Sequence, residues 1–307
     1  MIIINDLDTK INDSVCVTIG KFDGFHLGHM EIIEKVLSYK SKGLKACIVS
    51  FYPGPDVIFG KVDKKEIQTA DNRRRLCEEL GFDYYVEVPF SEKLSRISKE
   101  DFLYDYLAGT INAKAIVAGS DVSFGYKGEG NADFLLDNAS ELHLDVEIVD
   151  KISMDGEIIS SSLIEEKIEA GEIAVANKML GKPYSISGEI VVGKKLGRQF
   201  GFPTINVYVP EKSVVPAYGV YATKTLINGV LYNTLTNVGI NPTVESGKRA
   251  KIESFIYDFE GDVYGEIATI NFLEYIRPEQ KFDSKEALFD QISKDKEIVL
   301  AFLIKNS

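Results

Sequence analysis

Two different spacings of apolar residues divide the chain. From the N-terminus to about Gly171, short β-branched runs alternate with segments of helical period: Val15 to Ile19 reads as a strand, and Glu31 to Tyr39 as a helix whose Ile32, Ile33, Val36 and Leu37 form one stripe. Further strands are predicted at Ala46 to Phe51, Tyr84 to Val88, Ala115 to Ala118 and Val146 to Val149. Helices are predicted near Asn72 to Leu80, Lys99 to Leu107 and Ala132 to Leu142. Such alternation implies βαβ units on a parallel sheet, an α/β fold that binds ligands at the carboxyl ends of its strands.

After Leu180 the run Gly181-Lys182-Pro183 ends the helical pattern, and closely spaced strands follow. They are predicted at Ser187 to Val192, Val220 to Ile227, Leu231 to Val238, Ile252 to Asp258 and Ile267 to Tyr275, divided by turns such as Asn228-Gly229 and Glu260-Gly261-Asp262. This reads as a small antiparallel β-barrel. A terminal helix from Ser284 carries Leu288, Ile292, Val299, Phe302 and Leu303 on roughly one face, to pack on the barrel. Domains of 1–180 and 181–307 are expected.

Composition narrows the partners. A net charge of -12 opposes binding to nucleic acid and to anionic membranes. Cys16, Cys47 and Cys77 have no CxxC spacing and are expected as reduced core residues. Met1 to Lys10 lacks the features of a signal peptide, and the apolar run Ile298 to Ile304 is too short to span lipid, so a cytoplasmic protein without a membrane partner is expected.

Against that acidic background, two glycine-rich loops stand out. The first, Gly20-Lys21-Phe22-Asp23-Gly24-Phe25-His26-Leu27-Gly28-His29, leaves a strand and enters a helix, where close backbone approach and a helix N-terminus suit a phosphate. It holds two of the chain's three histidines, His26 and His29, spaced to donate to one triphosphate. The second runs from Gly188 through Gly193, Lys194, Lys195, Gly197, Arg198 and Gly201 to Pro203-Thr204-Ile205-Asn206. Its glycines admit phosphate, and a hydroxyl with an amide oxygen are hard ligands suited to magnesium. It is not a Walker loop, because Gly-x-x-x-x-Gly-Lys-Ser/Thr is absent.

The first loop resembles the GxFDGxHxGH form of the bifunctional bacterial riboflavin kinase/FMN adenylyltransferase (FAD synthetase) family. Gly119-Ser120-Asp121-Val122-Ser123-Phe124-Gly125 and Ile159-Ser160-Ser161-Ser162 stand where that family has later nucleotide motifs, and Gly201-Phe202-Pro203-Thr204-Ile205-Asn206 is similar to its kinase signature. The resemblance implies an N-terminal nucleotidyltransferase-like domain and a C-terminal riboflavin kinase barrel. It implies ATP and Mg2+, riboflavin as substrate, and FMN and FAD as products.

For adenylyl transfer the resemblance implies His26 and His29 on phosphates, with Gly20, Phe22, Asp23, Gly24, Gly28, Gly119, Asp121, Phe124, Ser161 and Ser162 forming the nucleotide site. For the kinase it implies Gly193, Lys194, Gly197, Arg198, Gly201 and Pro203 around ATP, Thr204 and Asn206 as metal ligands, Glu253 as general base, and Asn237 and Arg277 at the flavin. Three positions depart from the family pattern: Glu165 replaces the arginine of Ile-Ser-Ser-Thr-x-Ile-Arg, Gly54 stands where histidine is common, and Ser123 occupies a usually basic position. The reversed charge at Glu165 sets a second expectation, a riboflavin kinase whose adenylyltransferase module is weak. Alternatively, Ser162 and Glu165 fit a helix capping box. A class I aminoacyl-tRNA synthetase is disfavoured by the missing Lys-Met-Ser-Lys and the acidic balance. A flavin sensor without catalysis is disfavoured by the presence of Thr204, Asn206 and Glu253.

Overall fold

A computed structural model describes residues 1–54, 65–193, 204–240 and 249–306, and the chain divides into two compact units, Met1–Ser161 and Ser162–Ser307. In the first unit the strands are β1 (Ile2–Ile4), β2 (Val15–Ile19), β3 (Lys45–Phe51), β4 (Tyr84–Val88), β5 (Ala113–Gly119) and β6 (Asp145–Val149). They form one parallel sheet in the order β1-β4-β3-β2-β5-β6. Central strands of such a sheet are covered on both faces, which is why Val15 to Thr18 and Ala46 to Ser50 are buried at every position.

The helices follow from local signals. Helix α1 (Leu27–Ser38) starts behind His26, and α2 (Ala70–Leu80) starts where the Thr69 hydroxyl accepts the Asn72 N–H. Gly81, at φ 92°, ends α2 in the left-handed conformation. Helix α3 (Ala132–Ala139) starts where Asn131 accepts the Phe134 N–H. The expected helix over Lys99 to Leu107 is instead one turn, Lys99–Asp101, leading into a π-helix, Phe102–Thr110. Phe102, Leu103, Tyr106 and Leu107 are buried there, a broad face that the wider π turn presents to the sheet. One face of the sheet packs Cys16, Ile48, Tyr85 and Val117 on Ile33 and Val36 of α1 and Cys77 of α2. The other packs Val17, Val49, Val86 and Ile116 on Phe102, Leu103 and Leu107 and on Leu135 of α3.

Strand β2 pairs with both β3 and β5, so the chain builds outward in one direction through β3 and β4 and then returns to build the other side. The carboxyl ends of β2 and β5 flank the point of reversal, where such folds bind ligands. The loops that leave these two strands are those of Gly20 to His26 and Ser120 to Gly125.

A short hairpin, β7 (Ser153–Met154) and β8 (Glu157–Ile158), precedes α4 (Ser161–Glu169), which opens two positions before the start at Leu163 that a Ser162–Glu165 capping box requires. After α5 (Ile173–Leu180) come β9 (Tyr184–Glu189), β10 (Thr204–Tyr208), β11 (Gly219–Ile227), β12 (Val230–Ile240), β13 (Ala250–Ile256) and β14 (Ile267–Pro278). They form an antiparallel sheet in the order β10-β13-β12-β11-β14-β9, which curls until Val191 bridges to Asn206 of β10. Strand β9 lies upstream of the expected Ser187 to Val192, because Tyr184 and Ile186 are buried while Val192 is 63% exposed. Asn228 and Gly229, both at positive φ, make the tight β11–β12 turn as expected.

The inward face of this sheet carries buried hydroxyls: Thr223 bonds to Thr234 and Thr236 at 2.6 Å each, Thr225 to Thr234 at 2.8 Å, and Thr236 to Ser254 at 2.7 Å. The terminal helix α6 (Lys285–Lys305) is capped by Ser284 and buries Val299 and Leu303 against Val220, Ala222 and Leu235. Among the described residues, no helix is long and apolar enough to cross a membrane.

Candidate active sites

In the first unit the loop after β2 is tightly wound. Phe22, Gly24 and Phe25 all have positive φ, 50°, 83° and 48°. For two phenylalanines this costs about 1–2 kcal/mol each, offset by burial of both rings. The fold of the loop sets His26 at the N-cap of α1, where its Nδ1 accepts the His29 N–H at 3.3 Å. The two imidazoles stack at 3.6 Å with 19° between their planes. Burial pushes His26 down to about 4, against the opposing pull of Asp23 and Asp121. His26 is therefore neutral at neutral pH, and with Nδ1 occupied as an acceptor its proton sits on Nε2.

Asp23 does not open onto solvent. It is buried and accepts the Ile67 and Gln68 N–H groups at 3.2 and 3.0 Å, with Lys21 and Arg73 each 3.6 Å away. Arg73, also buried, reaches Glu66 at 3.1 Å and donates to the Gln68 carbonyl at 2.6 Å. The carboxylate thus ties the loop to the segment that leads into α2. Neither Glu66 nor Arg73 was expected at the site, since their link to Asp23 spans more than forty positions and has no local signature.

Gly119 ends β5, and a Cβ there would lie 3.0 Å from Asp121 Oδ1. Asp121 is exposed and pairs with Lys151 at 2.9 Å. Phe124 is buried against Phe102 and Phe134 and lines a cavity of about 640 Å³ with Phe51, Phe90, Ser123, Arg96 and Lys127. Ser161 is brought to the first loop, its hydroxyl donating to the Asp23 carbonyl at 3.0 Å. Ser162 is exposed at the start of the second unit.

In the barrel, register assembles what the sequence scatters. Asn206 on β10 pairs with Glu253 on β13, Glu253 with Asn237 on β12, Asn237 with Val220 on β11, and Val220 with Arg277 on β14. Directly opposed residues point to the same face, so four of the expected site residues lie in one row across five strands. Thr204 sits two residues from Asn206 on the same face. It lines two cavities, one of about 380 Å³ with Gly193, Asn206, Phe259 and Tyr264, the other of about 360 Å³ with Glu253, Asn237 and Arg277. Asn206 is buried, and a Cβ on Gly193 would lie 2.7 Å from its Cγ, so only glycine permits this approach.

Glu253 is half-exposed, and Lys251 donates to its Oε1 at 2.6 Å. The Arg277 guanidinium is held by buried Asp295, Nε reaching both carboxylate oxygens at 3.0 Å and Nη2 one of them at 2.6 Å. Asp295, with Leu288, Phe289 and Ile292 of α6, walls the second cavity. The terminal helix was expected only to pack, so this role is new. Lys194, Gly197, Arg198, Gly201 and Pro203 lie outside the described residues. Among the described residues no three His, Cys, Asp or Glu side chains cluster as a metal site. The Thr204 hydroxyl and Asn206 amide instead form a neutral oxygen donor set, which fits a magnesium whose charge is balanced by bound phosphates.

A parallel sheet with an HxGH loop at its switch point, joined to a barrel with a Thr-x-Asn edge facing a carboxylate, defines a two-unit nucleotide-dependent transferase. Family models agree with each half: that for FAD synthetase matches residues 8–163 and that for riboflavin kinase residues 180–303. Bifunctional riboflavin kinase/FMN adenylyltransferases are similar along nearly the whole chain. That of Listeria monocytogenes is 36% identical, over 99% of this chain and 96% of its own, and that of Bacillus subtilis 34%, over 93% and 92%. The Escherichia coli protein is 31% identical, over 95% and 94%. A solved structure described as a macrolide-efflux protein from Streptococcus pneumoniae superimposes with a TM-score of 0.88 at 30% identity, covering 97% of this chain and 98% of that one. The chain belongs to the bifunctional riboflavin kinase/FMN adenylyltransferase family.

Proposed function

We propose that the chain phosphorylates riboflavin to FMN with ATP in its barrel and adenylylates FMN to FAD, releasing pyrophosphate, in its parallel-sheet unit, with 1–180 and 181–307 as the two functional domains. The observation that carries the first half is the cross-strand row of Asn206, Glu253, Asn237 and Arg277 beside two cavities that share Thr204. One cavity takes ATP and the other riboflavin. Thr204, at their common wall, stands where the γ-phosphoryl group crosses. Glu253 takes the proton of the ribityl 5'-hydroxyl as that oxygen attacks the γ-phosphorus and ADP leaves. Thr204 and Asn206 would hold the magnesium, which neutralises charge on the triphosphate when bound. Gly193, Lys194, Gly197, Arg198, Gly201 and Pro203 would bind the ATP. Asn237 and Arg277 border the flavin.

In the other unit a phosphate oxygen of FMN attacks the α-phosphorus of ATP and pyrophosphate leaves, with no covalent enzyme intermediate. His26 and His29 hold the phosphates, His26 donating from Nε2, and catalysis is positioning with charge stabilisation. Gly20, Phe22, Gly24 and Gly28 shape the loop, and Asp23 holds it. Gly119, Asp121, Phe124, Ser161 and Ser162 complete the site. A cytoplasmic setting is part of this reading, supported by three buried free thiols, of which burial raises Cys16 and Cys77 to about 12.

The test is a time course of the full chain with riboflavin, ATP and magnesium, separated by chromatography. FMN should appear first and FAD after a lag. FMN without any FAD removes the second half of the proposal, and no FMN removes the first.

A further inference from the structure

Lys251 is the one side chain bonded to the carboxylate proposed as the base, among the hydrogen bonds of the described residues. Lys251 and Glu253 are two apart on β13, so they share a face, and the lysine Nζ lies 2.6 Å from Glu253 Oε1. The two differ in exposure: the Lys251 side chain is 9% exposed and that of Glu253 47%. On β12 the residue opposite Lys251 is Gly239, over which the Glu279 carboxylate lies; among the described residues the ion pair of Lys251 is nonetheless with Glu253. The Glu253 carboxylate is thus anchored from its buried side and reaches into the 360 Å³ cavity from the other.

We infer that Lys251 is the positioning residue for Glu253 in riboflavin phosphorylation, clamping one carboxylate oxygen so that the other faces the ribityl hydroxyl. This rests on the reading of Glu253 as general base. A glutamate on a half-exposed strand position has several rotamers, and fixing it costs conformational entropy at each turnover unless something fixes it beforehand. The buried ammonium does so, because leaving that charge unpaired would be more costly than any rotamer it restrains. An ammonium also makes a carboxylate a weaker proton acceptor, which opposes the gain. A base displaced by about 1 Å loses on the order of a hundredfold in rate, so orientation outweighs basicity here.

The experiment is a double-mutant cycle on the full chain, following FMN formation with the kcat and KM of riboflavin and of MgATP. Lys251→Met should lower kcat about tenfold or more and leave both KM values within about twofold. Lys251→Arg, which keeps the charge and the donor, should recover most of that loss. In a Glu253→Gln background, adding Lys251→Met should change nothing further, because a positioning residue acts through the group it holds. An equal fold-loss in both backgrounds, no loss in the wild-type background, or a faster Lys251→Met enzyme overturns the assignment. Should Lys251→Met fail to fold, Lys251→Gln, which keeps a donor without the charge, is read in the same cycle. Glu253→Gln measured alone separates the two ideas: full turnover there sinks the base itself, whereas its loss alongside an unimpaired Lys251→Met sinks only the clamp.

Discussion

Gly193→Ala tests the barrel site through a single added carbon. That Cβ would sit 2.7 Å from Asn206 Cγ and 2.9 Å from its Oδ1. Ordinary contact begins near ~3.4 Å, so the buried amide must move by roughly 1 Å or the strand must yield, at an overpacking cost of about 1–3 kcal/mol. Alanine also restricts the unfolded chain, which returns about 0.4–1 kcal/mol, so the net loss of stability should be small, about 1–2 kcal/mol. The effect on chemistry is larger: a 1 Å error in a group that positions the phosphoryl donor costs on the order of a hundredfold, equivalent to about 2.7 kcal/mol of barrier. The assay is kcat/KM for MgATP in FMN formation, with FAD formation from supplied FMN as the internal control. Loss confined to the first reaction, with the barrel still folded by thermal unfolding, is the expected result. A variant within twofold of wild type in both reactions would refute the idea that Asn206 has to stand where it does.

His29→Asn should lower FAD formation from FMN about a hundredfold and leave FMN formation from riboflavin unchanged, as separate assays of the two products will show. Burial holds His26 at about 4 in the folded chain against an ordinary 6.5, so the unfolded chain takes up the proton first as pH falls. Stability is then full above about pH 6.5 and drains between 6.5 and 4, by about 3 kcal/mol in all. His26→Asn, which keeps an N-cap acceptor, should lose less melting temperature than wild type between pH 7 and pH 5; parallel losses would contradict this. Asp295→Asn leaves Arg277 with its guanidinium short of a buried partner, so it should cost about 3 kcal/mol in unfolding free energy and raise the KM for riboflavin.

Much of this was legible in the residues. β-branched runs located β2 and β4 at Val15–Ile19 and Tyr84–Val88 to the residue, because strands buried on both faces carry continuous apolar signals. Strands β1 and β10 were not read from the sequence: β1 is a run of only three isoleucines, with Ile2 and Ile3 exposed on an edge, and Thr204 to Tyr208 mixes polar and apolar residues within a strand whose pairing is set elsewhere. Thr223, Thr234 and Thr236 had no role assigned from the sequence; their hydroxyls bond to one another inside the barrel, a pairing set by register between strands. At the candidate sites, resemblance pointed to His26, Thr204, Asn206 and Glu253. It could not show that register sets Asn206, Glu253, Asn237 and Arg277 in one row, nor that Asp295 holds Arg277 from eighteen positions away. Those are facts of pairing between distant strands and helices. Asp23 shows the same limit: its motif was visible, but its burial against Arg73 was not.

The central claim, two reactions at two sites in one chain, is tested most directly by Asn206→Ala assayed with each substrate in turn. Given riboflavin, ATP and magnesium it should form almost no FMN; given FMN in place of riboflavin it should form FAD at the wild-type rate. Brisk FMN formation by that variant, or a matching collapse of both reactions in a protein that remains folded, would contradict the account.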